Sequence, residues 1–211
     1  MKKLIIAGLS AVMLAGCGNS TENLGDFYKQ YDQVNQKEKP VVEVNRQLQK
    51  LETEKVELFN KISKAKQQDI KVINNNAKQL EKNVQARSEA IDKEIKAYEA
   101  SEAAFKKAKD QASEIKDQDQ KKEAADLIAA SEEKYAGHDK LMSAYKDVLA
   151  KENDLFKYLQ GKKPQTKEVN NMIEKLNKST ESFQKEMTAY NKTMQKVQQE
   201  SGDIVKILNE K

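Results

Sequence analysis

The last forty residues constrain the fold most. Val169, Ile173, Leu176, Thr180, Phe183, Met187, Tyr190, Met194, Val197, Ser201, Ile204 and Leu208 follow one another at alternating steps of four and three, and ten of these twelve are apolar. Two positions in every seven on one helical face make a heptad seam, which is buried by packing against other helices. The chain has 34% charged residues, 6% aromatics and no Trp, a composition that suits long exposed helices with a narrow apolar seam better than a thick globular core.

The same alternation recurs upstream. Leu24, Phe27, Tyr31, Val34, Val41, Val44, Leu48, Leu51, Leu58 and Ile62 mark a first stripe, in which Pro40 predicts a break between a short helix at 24–38 and a longer one from 40. The alternative is one long kinked helix. Ile70, Ile73, Ala77, Leu80, Val84, Ile91, Ile95, Tyr98, Phe105, Ala108, Ala112 and Ile115 continue the pattern. A reversal is expected within 65–76, where Asp69 or Asn76 can cap a helix, and a continuous helix is the other possibility. A second reversal fits Lys116–Gln120. A third helix is predicted from about 121 to 160, with Ile128, Tyr135, His138, Met142, Tyr145, Leu149, Phe156 and Leu159 on its seam and Gly137 as a site of bending. Gly161-Lys162-Lys163-Pro164 reads as a turn, with Gly161 as C-cap. The fold class is therefore all-α: an elongated antiparallel bundle of three to four long helices with coiled-coil-like packing. At 1.5 Å per residue, helices of this length would give a rod of about 70 Å.

The amino terminus has a different character. Lys2 and Lys3 precede an apolar run from Leu4 to Met13, the build of a signal peptide spanning 1–16, and the run is too short to cross a bilayer. Leu14-Ala15-Gly16-Cys17 resembles a bacterial lipobox, and Cys17 is the sole cysteine of the chain. That resemblance implies cleavage between Gly16 and Cys17 and a diacylglycerol thioether on Cys17, whose acyl chains (palmitate or similar) suffice for stable anchoring. An ordinary secreted protein with a chance cysteine, or a buried structural thiol, are the alternatives. A lone cysteine permits no intrachain disulfide. Residues 17–23 then form the lipidated cysteine and a short tether, reaching about 20 Å, and 24–211 form the helical domain.

Catalytic chemistry finds little to work with. His138 is the single histidine, and Asp139 or Glu132 could be imagined beside it as a metal or acid–base site. Helical di-metal sites use Glu-x-x-His pairs, and position 135 is Tyr. Phosphate-binding glycine loops, nucleophile elbows and cysteine clusters are absent from the sequence. The reading is a non-enzyme with no cofactor and no metal. Without Lys2 and Lys3 the basic side chains fall from 38 to 36 against 34 acidic ones, which argues against nucleic acid as a partner. The aromatics fall mostly on seams; Tyr28 and Tyr158 lie off them and are candidates for exposed contacts.

Charge is unevenly spread. Residues 61–82 carry six Lys against Asp69 and Glu81, and residues 157–185 carry seven Lys against three Glu. Residues 113–126 carry five acids against three Lys. An up-down bundle would bring the first two segments together into a basic end facing away from the membrane. Lys64, Lys66, Lys71, Lys162, Lys163 and Lys167 are the candidate contacts for an anionic wall polymer.

With the lipobox, the tether, Asp26-Phe27-Tyr28 near the start of the body and the turn from Gly161 to Thr166, the chain resembles the cell-wall-binding lipoprotein family of low-GC Gram-positive bacteria. The Lys-rich, Arg-poor composition, with only Arg46 and Arg87, agrees with an AT-rich genome of that kind. The resemblance implies a helical lipoprotein on the outer face of the cytoplasmic membrane, an envelope protein without known enzymatic activity, with peptidoglycan, teichoic acid or envelope proteins as partners. A membrane-tethered structural or adaptor role is the first reading, and a chaperone-like or partner-binding helical module is the alternative.

Overall fold

The computed structural model describes residues 21–66 and 68–210. Four helices follow in order: α1 (Glu22–Lys64), α2 (Ile70–Ala112), α3 (Gln118–Leu159) and α4 (Thr166–Asn209), with no strand among the described residues. The expected reversal within 65–76 occurs at its start, so there are four long helices. The predicted signal segment 1–16, with Gly16, and the lipidation position Cys17 lie outside the described residues.

The bonding partners fix the topology. Asn23, Glu38 and Glu52 of α1 bond Glu114, Ser101 and Arg87 respectively, so partner numbers fall as α1 advances. Lys109 and Asp92 of α2 pair with Glu132 and Lys146 of α3, and Glu133 and Asp147 of α3 pair with Lys196 and Ser179 of α4. Consecutive helices are antiparallel, while α1 and α3 run parallel through Tyr31–Ser131 and Lys55–Glu152.

All four helices contribute to two compact units. Of the described residues, the first takes those up to Val42, Lys96–Asp139 and those from Thr188 onward; the second takes those within Glu43–Ile95 and Lys140–Met187. In the first unit Leu24, Phe27, Tyr31 and Val34 are at most 1% exposed. Rings there meet at 6.5 Å between Tyr31 and Phe105 and at 5.4 Å between Phe105 and Tyr135. In the second unit Leu80, Ile91, Leu155 and Phe156 form the centre, and Tyr145 stacks on Phe183 at 4.8 Å. Burial of such side chains supplies about 1.5–3 kcal/mol each.

Several local expectations need correction. α1 passes through Pro40 without ending at residue 38. Proline removes one helical N–H and crowds the preceding turn, at a cost of about 3 kcal/mol. Buried Val34 on one side and Val44 on the other anchor both halves against this cost. α3 starts at Gln118, not about 121, because the Asp117 carboxylate accepts the N–H groups of Asp119 at 3.1 Å and Gln120 at 3.0 Å. Leu127, not Ile128, is the fully buried member of its pair. Tyr28 is buried and its hydroxyl meets that of Ser201 at 3.0 Å, so it is not an exposed contact. Half-buried Tyr158 accepts the backbone N–H of Gln165 at 3.1 Å. Asn76 is no cap; it lies inside α2 and donates to the Val72 carbonyl at 2.8 Å.

Gly161 closes α3 without a left-handed conformation, since no described glycine has a positive φ. The residue is needed for space: a Cβ there would stand 3.1 Å from the Tyr158 carbonyl oxygen. Gly137 lies within an unbroken α3, and a Cβ there would meet Tyr190 at an ordinary 3.5 Å. The α4 seam holds the buried side as predicted, with none of its twelve positions exposed. Its buried members are Tyr190, Val197, Ser201 and Ile204, all in the first unit, while the others are half-buried.

Candidate functional site

Three groups of polar side chains stand out, two buried and one exposed. In the second unit Arg87 of α2 is wholly buried. Its Nε donates to Asn83 at 2.9 Å, one terminal nitrogen to Glu52 at 2.9 Å, and the other to Glu152. Lys55 joins both carboxylates, at 2.5 Å to Glu52 and 3.1 Å to Glu152, and the Tyr145 hydroxyl donates to Glu52 at 2.8 Å. Burial by itself would raise the Glu52 carboxyl, but Lys55 and Arg87 outweigh it and hold it below the usual range. Burial likewise works against the Arg87 charge, but Glu152, Tyr145 and Glu52 together outweigh it and push the guanidinium up.

The first unit holds a second cluster. Lys134, 1% exposed, pairs with Glu38 at 2.5 Å and lies over the Tyr135 ring at 4.8 Å and the Tyr98 ring at 5.6 Å. Ser101 bridges, donating to Glu38 at 2.5 Å and meeting the Tyr135 hydroxyl at 2.8 Å. His138 stacks flat on Tyr98, with ring centroids 3.5 Å apart, and meets the Tyr190 edge at 6.0 Å. Of the acids considered beside it, Glu132 is exposed and engaged by Lys109, and Asp139 is exposed, away from the buried core. Among the described residues no group of three or more His, Cys, Asp or Glu side chains could hold a metal.

These clusters are closed networks in which donors meet acceptors inside the helical packing. They position helices. The seam pattern alone does not announce them, although it carries a signal. Filling the gaps of each seam by the same alternation lands on Glu38, Arg87, Ser101 and Glu152, all polar, and a strict alternation through α2 also replaces Ile95 by the buried Glu94.

The exposed group lies at the end of the second unit where two turns meet. Asp69 precedes α2, its carbonyl accepting Val72 N–H at 2.9 Å and its carboxylate accepting Lys66 N–H at 3.0 Å. From the first turns of α2, Asn74 reaches across to the end of α3, donating to the Leu159 carbonyl at 3.0 Å and the Gly161 carbonyl at 3.4 Å. That clasp joins the segment bearing Lys64, Lys66 and Lys71 to the turn bearing Lys162 and Lys163, with Lys167 following at the start of α4. All six candidates are exposed, and no ion pair engages any of them among the described residues. The start of α1 lies elsewhere: in the first unit, the Asn23 amide donates to Glu114 at 2.8 Å in the acid-rich turn.

A groove of about 530 Å³ runs between α2 and α3 in the second unit, floored by Val84 and Leu149. It is flanked by the ion pairs Lys146–Asp92 at 3.0 Å and Lys157–Glu81 at 4.0 Å. No helix among the described residues is long and apolar enough to cross a membrane.

Comparison with known proteins settles the kinship. The family model described as "Putative cell-wall binding lipoprotein" matches residues 22–207. The chain belongs to this family. Within it, the "uncharacterized lipoprotein YkyA" of Bacillus subtilis (strain 168) is 25% identical over 194 residues, covering 92% of this chain and 86% of that one. A crystal structure of a conserved protein of unknown function from Staphylococcus aureus superposes with a TM-score of 0.80 at 28% identity, covering 88% of this chain and 93% of that one. The family description speaks of a lipoprotein and names no enzymatic activity.

Proposed function

We propose that this lipoprotein-family member is anchored through a diacylglycerol on Cys17 after removal of residues 1–16. In this reading it is a non-enzymatic adaptor of the cell envelope whose basic end holds an anionic wall polymer, teichoic acid or peptidoglycan. The observation that carries the reading is the Asn74 clasp, which gathers six exposed lysines from two turns at one end of the second unit. The family description supports the wall as the place of action. Clustered ammonium groups attract a polyanion over a Debye length of about 8–10 Å at physiological salt, so binding is salt-dependent. In the same reading, the lipid enters the chain ahead of α1 and the lysines begin at its far end, Lys64.

The experiment compares wild type with a variant in which Lys64, Lys66, Lys71, Lys162, Lys163 and Lys167 are all Gln, by pelleting with purified walls at low and high salt. The expected result is strong low-salt pelleting of wild type that weakens with salt and is largely lost in the variant. Equal pelleting of both proteins would overturn the assignment. A Cys17→Ala variant is expected to leave the membrane fraction, and its retention there would overturn the lipid anchor.

A further inference from the structure

We propose that the basic end continues as a straight lysine row along α2, and that its ligand is a linear polymer of phosphodiesters laid lengthwise on that row. The proposal deepens the reading of this end as a wall-polymer site and rests on it. Lys71, Asn75, Lys78, Lys82 and Gln85 follow one another at steps of four and three, so they share one face of α2 over about 21 Å. All five are exposed. Among the described residues no ion pair engages Lys71, Lys78 or Lys82. The acids that flank the row in sequence are already engaged. Asp69 accepts the Lys66 N–H at 3.0 Å, and Gln160 donates to Glu81 at 2.8 Å with Lys157 at 4.0 Å from it. Gln85 donates to Glu89 at 3.1 Å, and Glu89, the next member of the same face, ends the row.

The occupant follows from sign, spacing and donor type. Successive lysines of the row stand about 10.5 Å and about 6 Å apart along the helix axis. These steps are comparable with the Debye length of about 8 Å at physiological salt, so their fields merge into one positive stripe. A stripe of one sign favours a chain whose charges are all of the other sign and repeat along its length. Peptidoglycan carries ammonium groups beside its carboxylates, and its cations would oppose this row. A phosphodiester chain bears one negative charge per repeat and no positive one. The lysine ammonium is a point charge suited to single phosphate oxygens met one after another, whereas the arginine fork grips one group in two places. Both arginines lie off the row, Arg46 on α1 and Arg87 in the interior. Asn75 and Gln85 add neutral amide donors between and beyond the lysines. A short phosphate ester can touch one or two of these groups. Only a chain can pass from the turn of Lys162 and Lys163, which Asn74 clasps to α2, along the whole row.

The test measures, by fluorescence anisotropy, binding of labelled glycerol-phosphate oligomers shorter and longer than the row to the full-length chain held in phosphatidylcholine vesicles. Lys78→Gln with Lys82→Gln removes the charge of the row beyond the end. Lys107→Gln with Lys121→Gln removes equal charge from exposed positions of the first unit as a control. The expected outcome is a several-fold loss of long-oligomer affinity in the Lys78/Lys82 variant, with short-oligomer binding and the control pair unchanged. The sixfold Lys→Gln variant of the basic end should lose both oligomers. Wild-type binding of the long oligomer by the Lys78/Lys82 variant, with loss in the sixfold variant, would overturn the row and leave the reading of the end standing. The reverse pattern would sink the reading of the end alone. An equal drop in the control pair would assign the effect to net charge and overturn the row. Equal displacement by poly-glutamate of matched length, stronger displacement by phosphatidylglycerol vesicles than by unlabelled long oligomer, or undiminished pelleting with walls stripped of phosphodiesters by hydrofluoric acid would each overturn the ligand class.

Discussion

The guanidinium of Arg87 and the carboxylate of Glu152 form an ion pair buried between α2 and α3, their side chains 0% and 5% exposed. Removing one member of such a pair leaves the other charged and unpaired in the interior, which costs about 3–5 kcal/mol. Arg87→Met and Glu152→Gln are each expected to lower the denaturation free energy by about that amount in urea titration. Because Lys55 and Glu52 share the network, the double substitution should cost less than the sum of the singles.

Acid should act through Glu52. Its carboxyl is held below the value near 4.3 that it would have in an unfolded chain. A depressed folded value means the unfolded chain takes up protons first, so the stabilisation is complete above about pH 4.3 and is lost as pH falls toward the folded value. Thermal midpoints measured between pH 6 and pH 3 should therefore drop, and Glu52→Gln should flatten that drop while lowering the plateau.

Alkaline titration should show a block of silent tyrosines. Burial raises the phenol groups of Tyr31, Tyr135 and Tyr145 well above their ordinary value of about 10. The folded state holds these protons longer than the unfolded state, so their stabilising contribution is present below about pH 10 and declines as pH rises beyond it. Absorbance near 295 nm should thus rise in two stages, with these three phenols ionising only in step with loss of helical circular dichroism.

Three glycine substitutions should separate by sign. At Gly202 nothing lies within 4 Å of an added Cβ, and at Gly137 the contact with Tyr190 is ordinary. Alanine at either position is expected to stabilise by about 0.5–1 kcal/mol, because glycine is the poorer helix former. At Gly161 the backbone oxygen of Tyr158 stands 3.1 Å from the added carbon, so Gly161→Ala should destabilise. Differential scanning calorimetry of the three variants would check the order.

Fold class is legible in the sequence because seam residues are spaced by the helix itself. Spacing alone puts Leu80, Val84, Ile91, Tyr98 and Phe105 on one face, and all five are buried. Pro40 misleads because a local penalty of about 3 kcal/mol says nothing of the tertiary anchors on either side. Tyr28 misleads because a strict seam is narrower than the face α1 buries in the first unit. The basic end is legible as charge counts, but the contact that joins its two segments is not: the Asn74 side chain bonds across 85 residues of sequence. Arg87 and Lys134 escape a reading that equates charge with exposure, although a gap in an otherwise regular seam is itself a sign of a buried polar group.

That gap-filling has a further result for how the helices find their alignment. A purely apolar heptad seam is degenerate, since sliding one helix by seven residues restores nearly the same contacts. In α2 the polar members Arg87, Glu94 and Ser101 are themselves seven residues apart and chemically unlike. A slide by one repeat would present Glu94 to Glu38 in place of Ser101, carboxylate against carboxylate, and would withdraw Arg87 from Glu52 and Glu152 in favour of Leu80. The buried charges thus act as a key cut into a repetitive lock, leaving one alignment free of electrostatic penalty.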